Sequence, residues 1–410
     1  MKKTLLIIEK NPYGSLGLKK ASELGVSIVF LGSNKYYNRL SDEDRGYIER
    51  VVEIDSNDPD AVIAVVNEIR ESTPIHGVMT FMEFYVPLAA RIAEQLGLPG
   101  IRAQDAANAR DKALMRQRLA QRNVAIPAFS IVSTQEDAIR AASAIGYPNI
   151  LKPVNMSGSR GVMRNDSESD FVRNLAHLMN YPPPFGVAKS ARYLVEEYMD
   201  GPEFSVESIS YRGEVEVVAI TKKYLAEPTF VEIGHLVPAD LPPEDHAAIC
   251  ALTRQAVLAL GIRDGGSHTE IKLTRSGPKI VEVAARLGGG NIPELVELAT
   301  GVDLWKAVIQ IAMNEKPALV RSRNRYAAVG FFTAQPGLVT DIKTPVNGYG
   351  DSVHTMRLQL QIGTRIKPLA SSADRFGYVI ASGDTPAEAT RNVERAKASV
   401  QITVETPATA

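Results

Sequence analysis

A single cysteine, Cys250, stands in a chain of 410 residues, which excludes an intramolecular disulfide framework and any zinc site built on cysteines. Long apolar runs are missing as well, since no stretch approaches the roughly 20 residues that a membrane span needs. The opening Met1-Lys2-Lys3-Thr4-Leu5-Leu6-Ile7-Ile8 begins like a secretory leader, but its apolar run stops at Glu9 and no cleavage region follows. It reads as a first buried strand. Charge of one sign is not in excess either: the formal net charge is -1, so neither nucleic acid nor a membrane surface is expected as a partner. With 45% hydrophobic and 23% charged residues the composition is that of an ordinary globular protein, and a reducing cytoplasm is the expected compartment. There is no internal repeat and no Gly-Lys-Ser/Thr phosphate loop. Gly14-Ser15-Leu16-Gly17 lacks the full glycine fingerprint of a dinucleotide site and reads as a simple strand-to-helix turn.

What the chain does have is concentrated in residues 268–291, HTEIKLTRSGPKIVEVAARLGGGN. Two β-rich runs, around Glu270 and Glu282, flank the turn formers Arg275-Ser276-Gly277-Pro278 and predict a hairpin. Such a hairpin sets the two carboxylates side by side, where they repel unless a cation lies between them, and hard oxygen ligands suit Mg²⁺. Arg286 and three glycines follow, a combination suited to an anion. The competing reading is a solvated hairpin with ordinary surface charges.

At 410 residues the chain has room for two or three domains of about 150 residues each. Residues 1–105 alternate strand and helix (4–8, 15–24, 27–31, 59–71, 77–80), the pattern of a parallel sheet with crossover helices. One helix over 105–122 serves as a linker to residue 123. A smaller α/β unit spans 124–195, with helices at 136–145 and 168–179 and strands at 149–153 and 193–197. Tyr181-Pro182-Pro183-Pro184 is a short rigid spacer within it. The last part, 196–410, opens with long strands and continues through a helix at 243–260, the hairpin, helices near 293–299 and 304–313, further strand-like runs and a final amphipathic helix. The class is α/β, with α+β character in the last part.

Three further segments carry chemistry. Lys152-Pro153-Val154-Asn155-Met156-Ser157-Gly158-Ser159-Arg160-Gly161 follows a strand, and its small residues let backbone N–H groups curl around a phosphate beside the Lys152 charge. A flexible surface loop is the alternative. Lys112 lies in a helix, where a lone lysine is ordinarily a solvated residue. From Leu194 to Glu207 the chain runs strand, turn, strand, and the hinge Glu196-Glu197-Tyr198-Met199 offers an apolar wall and edge groups to a flat heterocycle, with Glu203 placed for vicinal hydroxyls.

Taken in order, these segments resemble the ATP-grasp superfamily across nearly the whole chain: a lysine on a helix, Lys-Pro before Ser-Gly-Ser-x-Gly, Glu-Glu-Tyr-Met before Gly-Pro-Glu-Phe-Ser-Val-Glu, then paired glutamates and an arginine. Within it, Phe230-Val231-Glu232-Ile233-Gly234-His235, His268-Thr269-Glu270 and Glu282-Val283-Ala284-Ala285-Arg286-Leu287-Gly288-Gly289-Gly290 look like the L-amino acid ligases of the bacilysin-synthetase type. Gly377-Tyr378-Val379-Ile380-Ala381-Ser382-Gly383-Asp384-Thr385 is also similar to the C-terminal part of biotin carboxylase-like enzymes.

The resemblance implies an N-terminal parallel-sheet domain, a mobile middle lid and a larger C-terminal domain. It implies ATP phosphates on Lys112 and Lys152, a mobile loop from Ser157 to Gly161 above them, adenine along Glu196, Glu197, Tyr198 and Met199, and ribose on Glu203. Glu270 and Glu282 would hold two Mg²⁺ ions, with Mn²⁺ as the alternative. Many superfamily members carry an asparagine two residues after the second glutamate as a further ligand; here that position is Ala284, a departure shared with the bacilysin-type ligases. Arg286, with Lys152, would serve catalysis by meeting a carboxylate or an acyl phosphate, the lesser alternative being a structural salt-bridged arginine. Gly288 and Gly289 would present N–H groups to the same anion, and Glu232 and His235 would face the substrate's amino end. On residues alone His235 reads as a packed loop histidine, His268 as a group orienting Glu270 or as core packing, and Glu83 as either a site or a surface residue. The implied activity joins two amino acids or analogues into a dipeptide through an acyl phosphate, with ADP and phosphate released; the substrates are small molecules, and a homodimer is the commonest assembly. Rivals are a bicarbonate-using carboxylase and a nucleotide-binding protein without chemistry.

Overall fold

A computed structural model describes residues 2–11, 14–33, 40–183, 186–345 and 349–405. Its first sheet is parallel, in the order Arg50–Glu53, Ser27–Gly32, Thr4–Ile8, Gly77–Met79. Thr4–Ile8 is buried along its whole length, as a central parallel strand covered on both faces must be. Alternation then divides its side chains. Leu6 and Ile8 pack with Val62, Val66 and Ile69 of helix Pro59–Ser72, while Leu5 and Ile7 join a core that includes Leu287, Trp305 and Ile309. One strand therefore ties the N-terminal sheet to the glycine-rich segment beyond Arg286. Helix Val86–Gln95, helix Asp42–Tyr47 and strand Arg50–Glu53 were not expected from sequence. Pro184 of the expected spacer lies outside the described residues.

The single helix expected over 105–122 is two helices, Ala103–Arg110 and Lys112–Gln121. Asp111 separates them: its backbone is extended, and its carboxylate caps the second helix by accepting from the N–H groups of Ala113 (2.9 Å) and Leu114 (3.1 Å). Lys112 thus starts a helix instead of riding on its flank.

The unit after it is not built on parallel strands. Its sheet runs Phe129–Val132, Tyr193–Glu197, Asn149–Pro153, Met163–Asn165, with every neighbour antiparallel, and helices Gln135–Ile145 and Glu168–Met179 cover it through Ala138, Ala142, Phe171 and Leu175. The largest sheet has eight strands, in the order Gly277–Ala284, Gly265–Thr274, Glu203–Tyr211, Glu214–Ala226, Val231–Val237, Tyr326–Phe331, Gly377–Gly383, Val353–Leu358. Helix Pro243–Ala259 packs beneath its first strands through Ile249, Ala256 and Val257. The last helix, Pro386–Ala398, is followed by strand Gln401–Glu405, which completes a small sheet with Gly337–Lys343 and Arg365–Ile366. No described helix is long and apolar enough to cross a membrane.

Candidate active site

The hairpin forms as its alternation requires, and its ladder sets Glu270 directly opposite Glu282. Each carboxylate is met by a lysine from elsewhere in the chain. Lys223 Nζ lies 2.8 Å from Glu270, and Lys112 Nζ donates to Glu282 at 2.9 Å and to the Met156 carbonyl at 2.7 Å. Lys223 is buried, and its ammonium is also 2.6 Å from Glu203 and 3.1 Å from Glu232. Burial opposes that charge, but Glu203, Glu270 and Glu232 outweigh it and raise the lysine well above its ordinary value. The three carboxylates share that ammonium with further cations: Lys272 lies 3.8 Å from Glu203, Arg375 3.6 Å from Glu232 and His268 3.5 Å from Glu270. Among the described residues no group of three or more acidic, cysteine or histidine side chains forms a complete metal cage. Two adjacent carboxylates nevertheless suit Mg²⁺, which keeps several waters and takes other ligands from phosphates.

Lys112 and Arg116 sit one turn apart, so they project from the same face of helix Lys112–Gln121. Arg116 Nε lies 2.6 Å from Glu196, whose other oxygen meets Lys152 Nζ at 2.6 Å. All three groups are buried. Burial works against the Glu196 carboxylate, yet Arg116 and Lys152 hold its pKa below the usual range; burial itself pushes Lys152 down against the pull of Glu196. Glu196 lies in the cleft wall as expected, but its two oxygens are engaged, so what it does there is fix Lys152.

An open cleft of about 1110 Å³ lies between the small sheet and the large one. Its wall includes the predicted Lys112, Lys152, Ser157, Gly158 and Ser159 on one side, Glu196, Glu197, Tyr198 and Met199 along the hinge, and Glu203, Glu232, Glu270, Glu282 and Arg286 on the floor. Gly158, Ser159 and Gly161 all have positive φ (67°, 58° and 71°), the curl that turns this loop over the cleft. Ser159 Oγ donates to the Phe230 carbonyl at 3.1 Å, which joins the loop tip to the large sheet. Gly161 is not part of the wall. It packs beneath the loop, where a Cβ would come within 2.7 Å of Leu178. Glu197 accepts from Lys279 at 3.0 Å, and the Arg164 guanidinium lies 4.3 Å from the centre of the Tyr198 ring.

His235, Gly288 and Gly289 also lie outside the cleft wall. His235 is on strand Val231–Val237, not in a loop; it is fully buried, neither ring nitrogen makes a hydrogen bond, and its ring meets Phe331 edge-on at 5.6 Å. Burial pushes its pKa down to about 3, so the ring is neutral at pH 7. Nearby Glu232 is held at about 2, burial being outweighed by Lys223, His235 and Arg375. Gly288 does not offer a free N–H to a ligand, because that group donates to Glu207 at 3.0 Å. Glu207 meets His268 Nδ1 at 2.5 Å, and His268 Nε2 lies 3.5 Å from Glu270. His268 therefore orients the carboxylate from behind. Arg286 is both things the sequence allowed. It lines the cleft, and its Nε pairs at 2.7 Å with Glu83, buried just after strand Gly77–Met79.

Lys223, Lys272, Arg116 and Glu207 were missed by sequence reasoning. Lys272, at 3.8 Å from Glu203, alternates in phase with Glu270 along its strand and was accessible from that pattern.

Residues 145–294 match the ATP-grasp domain family and residues 18–100 the ATP-grasp N-terminal domain, while 330–405 match L-amino acid ligase C-terminal domain 2. The chain belongs to the ATP-grasp superfamily and has its fold. Within that superfamily its likeness is to L-amino acid ligases. The crystal structure of L-amino acid ligase from Bacillus licheniformis superposes with a TM-score of 0.84 at 26% identity, covering 99% of both chains. Alanine–anticapsin ligase of Bacillus subtilis is 28% identical over 310 residues, 71% of this chain and 66% of that protein's length. Biotin carboxylase from Campylobacter jejuni shares the fold, with a TM-score of 0.73 at 18% identity over 99% of this chain and 93% of that one. The C-terminal segment, which by sequence was also similar to biotin carboxylases, thus matches a ligase family.

Proposed function

We propose that this protein is an ATP- and Mg²⁺-dependent carboxylate–amine ligase that joins two amino acids or close analogues into a dipeptide and releases ADP and phosphate. The observation that carries this reading is one cleft holding two adjacent carboxylates, Glu270 and Glu282, together with the cations Lys112, Lys152 and Arg286. A carboxylate is a poor nucleophile toward a polyanion, so the site must neutralise charge before the reactants can meet. Lys112 and Lys152 hold the phosphates. Glu203 takes the ribose, and Tyr198 and Met199 border the base. Mg²⁺ on Glu270 and Glu282 supplies further neutralisation when bound.

In the first half-reaction a substrate carboxylate oxygen bonds to the γ-phosphorus and the bond to the β-phosphate bridging oxygen breaks, giving ADP and an acyl phosphate. Arg286 holds the carboxylate during that step, as its planar fork suits. In the second, an amine attacks the acyl carbon, phosphate leaves, and the amine gives up a proton. Ionised Glu232, beside neutral His235, attracts the amino end of the substrate. The loop from Ser157 to Gly161, carried on a lid formed by 124–195, excludes the water that would hydrolyse the acyl phosphate. A reducing cytoplasm is the compartment of this reading, in line with a buried free Cys250.

The test is phosphate release over a matrix of paired amino acids, with mass detection of the product. Mg²⁺-dependent ADP formation only when donor and acceptor are both present bears the reading out. AMP with pyrophosphate sinks it, and bicarbonate-stimulated turnover without an amino acid points to a carboxylase instead. An Arg286→Ala variant with full ligation would remove Arg286 from the scheme.

A further inference from the structure

Arg286 lines a second cavity as well as the nucleotide cleft. This cavity, of about 830 Å³, lies where the end of strand Gly77–Met79 and helix Val86–Gln95 face helix Leu304–Ala312 and the start of strand Gly265–Thr274. That volume includes space open to solvent. Small side chains create it: Ala89, Ala90 and Ala93 on one helix and Ala312 on the other, with Gly265 and Gly266 on the strand. Trp305 and Val308 supply the larger apolar walls, and Phe81 meets Trp305 edge-on at 5.0 Å.

The polar side chains around it are turned away to local partners. Asn11 donates to the Phe81 carbonyl (2.8 Å), Thr80 Oγ1 accepts from the Met82 N–H (3.0 Å), and Asp264 accepts from the Arg212 N–H (2.7 Å). Arg286 is the cationic group in the lining. Glu83 on Nε and the Leu287 carbonyl on Nη1 (2.7 Å each) fix the guanidinium at the wall that the two cavities share. The Glu83 contact is an ion pair and the Leu287 contact a hydrogen bond, so most of the five N–H donors of the arginine are left for a ligand.

We propose that this cavity receives the apolar body of the substrate whose carboxylate Arg286 holds. The substrate class is then an acid with an uncharged aliphatic or aromatic group of leucine or phenylalanine size. The inference rests on the ligase reading for the role of Arg286, and it deepens that reading by naming what lies behind the reacting carboxylate. A charged side chain is disfavoured, because Arg286 is taken by the reacting carboxylate and half-exposed Asp264 already accepts from the Arg212 N–H, and burial of a poorly paired charge is costly.

Calorimetric binding on the full chain, both alone and loaded with ADP and Mg²⁺, tests this. The probes are acetate, butanoate, hexanoate and 3-phenylpropanoate, beside alanine, leucine, phenylalanine, glutamate and lysine. Affinity should rise about three- to fourfold for each buried methylene, with leucine and phenylalanine well ahead of alanine, and glutamate and lysine no better than alanine. The simple acids beside the amino acids show whether an α-amino group is also read. Ala312→Leu and Ala89→Leu fill the space from opposite helices. Each should weaken the large ligands at least about tenfold and leave alanine and acetate unchanged, while Val308→Ala should shift preference toward larger groups. Thermal melting of each variant separates loss of folding from loss of the pocket. Affinity that is flat with ligand size in both states overturns the proposal, as does an unchanged ranking in the filled variants. Ligation confined to charged or very small amino acids sinks the pocket and spares the ligase. Size-graded binding without ADP release from any pair of substrates does the reverse.

Discussion

Glu270 and Glu282 stand opposite each other across the hairpin, yet each gives an oxygen to a different lysine, Lys223 at 2.8 Å and Lys112 at 2.9 Å. The pair is held in place before any metal arrives. Glu282→Gln keeps an oxygen for Lys112 but removes the charge a metal needs. ADP affinity in the parent should tighten with Mg²⁺. In the variant that tightening should shrink by at least about tenfold, since changes behind a metal ligand alone commonly cost 10–100-fold. Binding titrations with and without Mg²⁺ measure it, and an unchanged Mg²⁺ effect would remove Glu282 from the metal site.

The ion triad of Arg116, Glu196 and Lys152 is buried on every member. Replacing Glu196 with glutamine leaves two cations unpaired in a low-dielectric site. Breaking such a pair from one side costs about 3–5 kcal/mol. Urea unfolding at pH 7 should show a loss of that size, and a change under about 1 kcal/mol would mean that solvent reaches the triad.

Gly288→Ala places a Cβ 2.8 Å from His268 Nδ1 and 2.9 Å from Glu207 Oε1, inside the ion pair that backs Glu270. A loss of about 1–3 kcal/mol is expected from overpacking. Gly289→Ala, whose Cβ meets nothing within 4 Å, is the matched control and should be close to neutral in the same denaturation experiment.

His235 titrates at about 3 in the folded protein, against about 6.5 when unfolded, because burial excludes the imidazolium while Glu232 pulls the other way and Lys223, Arg375 and His268 repel it. A base with a depressed folded pKa loses stability as the unfolded chain takes up its proton. The contribution is therefore intact above about pH 6.5 and is lost as pH falls toward 3. His235→Phe should flatten that limb of the stability–pH curve. A stability difference between parent and variant that stays constant from pH 7 to about pH 4 would show that the buried ring takes up its proton as readily in the folded chain as in the unfolded one.

Much of this was legible in the chain. Local signals sufficed for the hairpin, the loop after Lys152 and the hinge at Glu196, since each depends on alternation or on turn residues close in sequence. Lys223 was not legible. It sits beside Lys222 in what looks like a solvated pair, and the register shift between Val217 and Ala219 breaks the alternation that would have assigned it to the buried face. The break at Asp111 was hidden because Ala103–Arg110 and Lys112–Gln121 are both rich in helix formers, and only the cap distinguishes two helices from one. Gly288 was assigned to a ligand because its true partner, Glu207, lies 81 positions away in the chain.

Arg116 does more than neutralise Glu196. It also donates to the Val281 carbonyl at 2.7 Å, so one side chain pins the interdomain helix both to the small sheet and to the strand that carries Glu282. At the far end the small unit touches the large one through lighter fastenings, Ser159 on the Phe230 carbonyl and the Ser372 N–H on Gly158 at 3.5 Å. The cleft thus has a hinge pin at its back and a clasp at its front. On the ligase reading proposed above, widening the cleft parts the clasp and also the Lys112 bridge from the Met156 carbonyl (2.7 Å) to Glu282 (2.9 Å), while Lys152, paired with Glu196, stays with the small sheet.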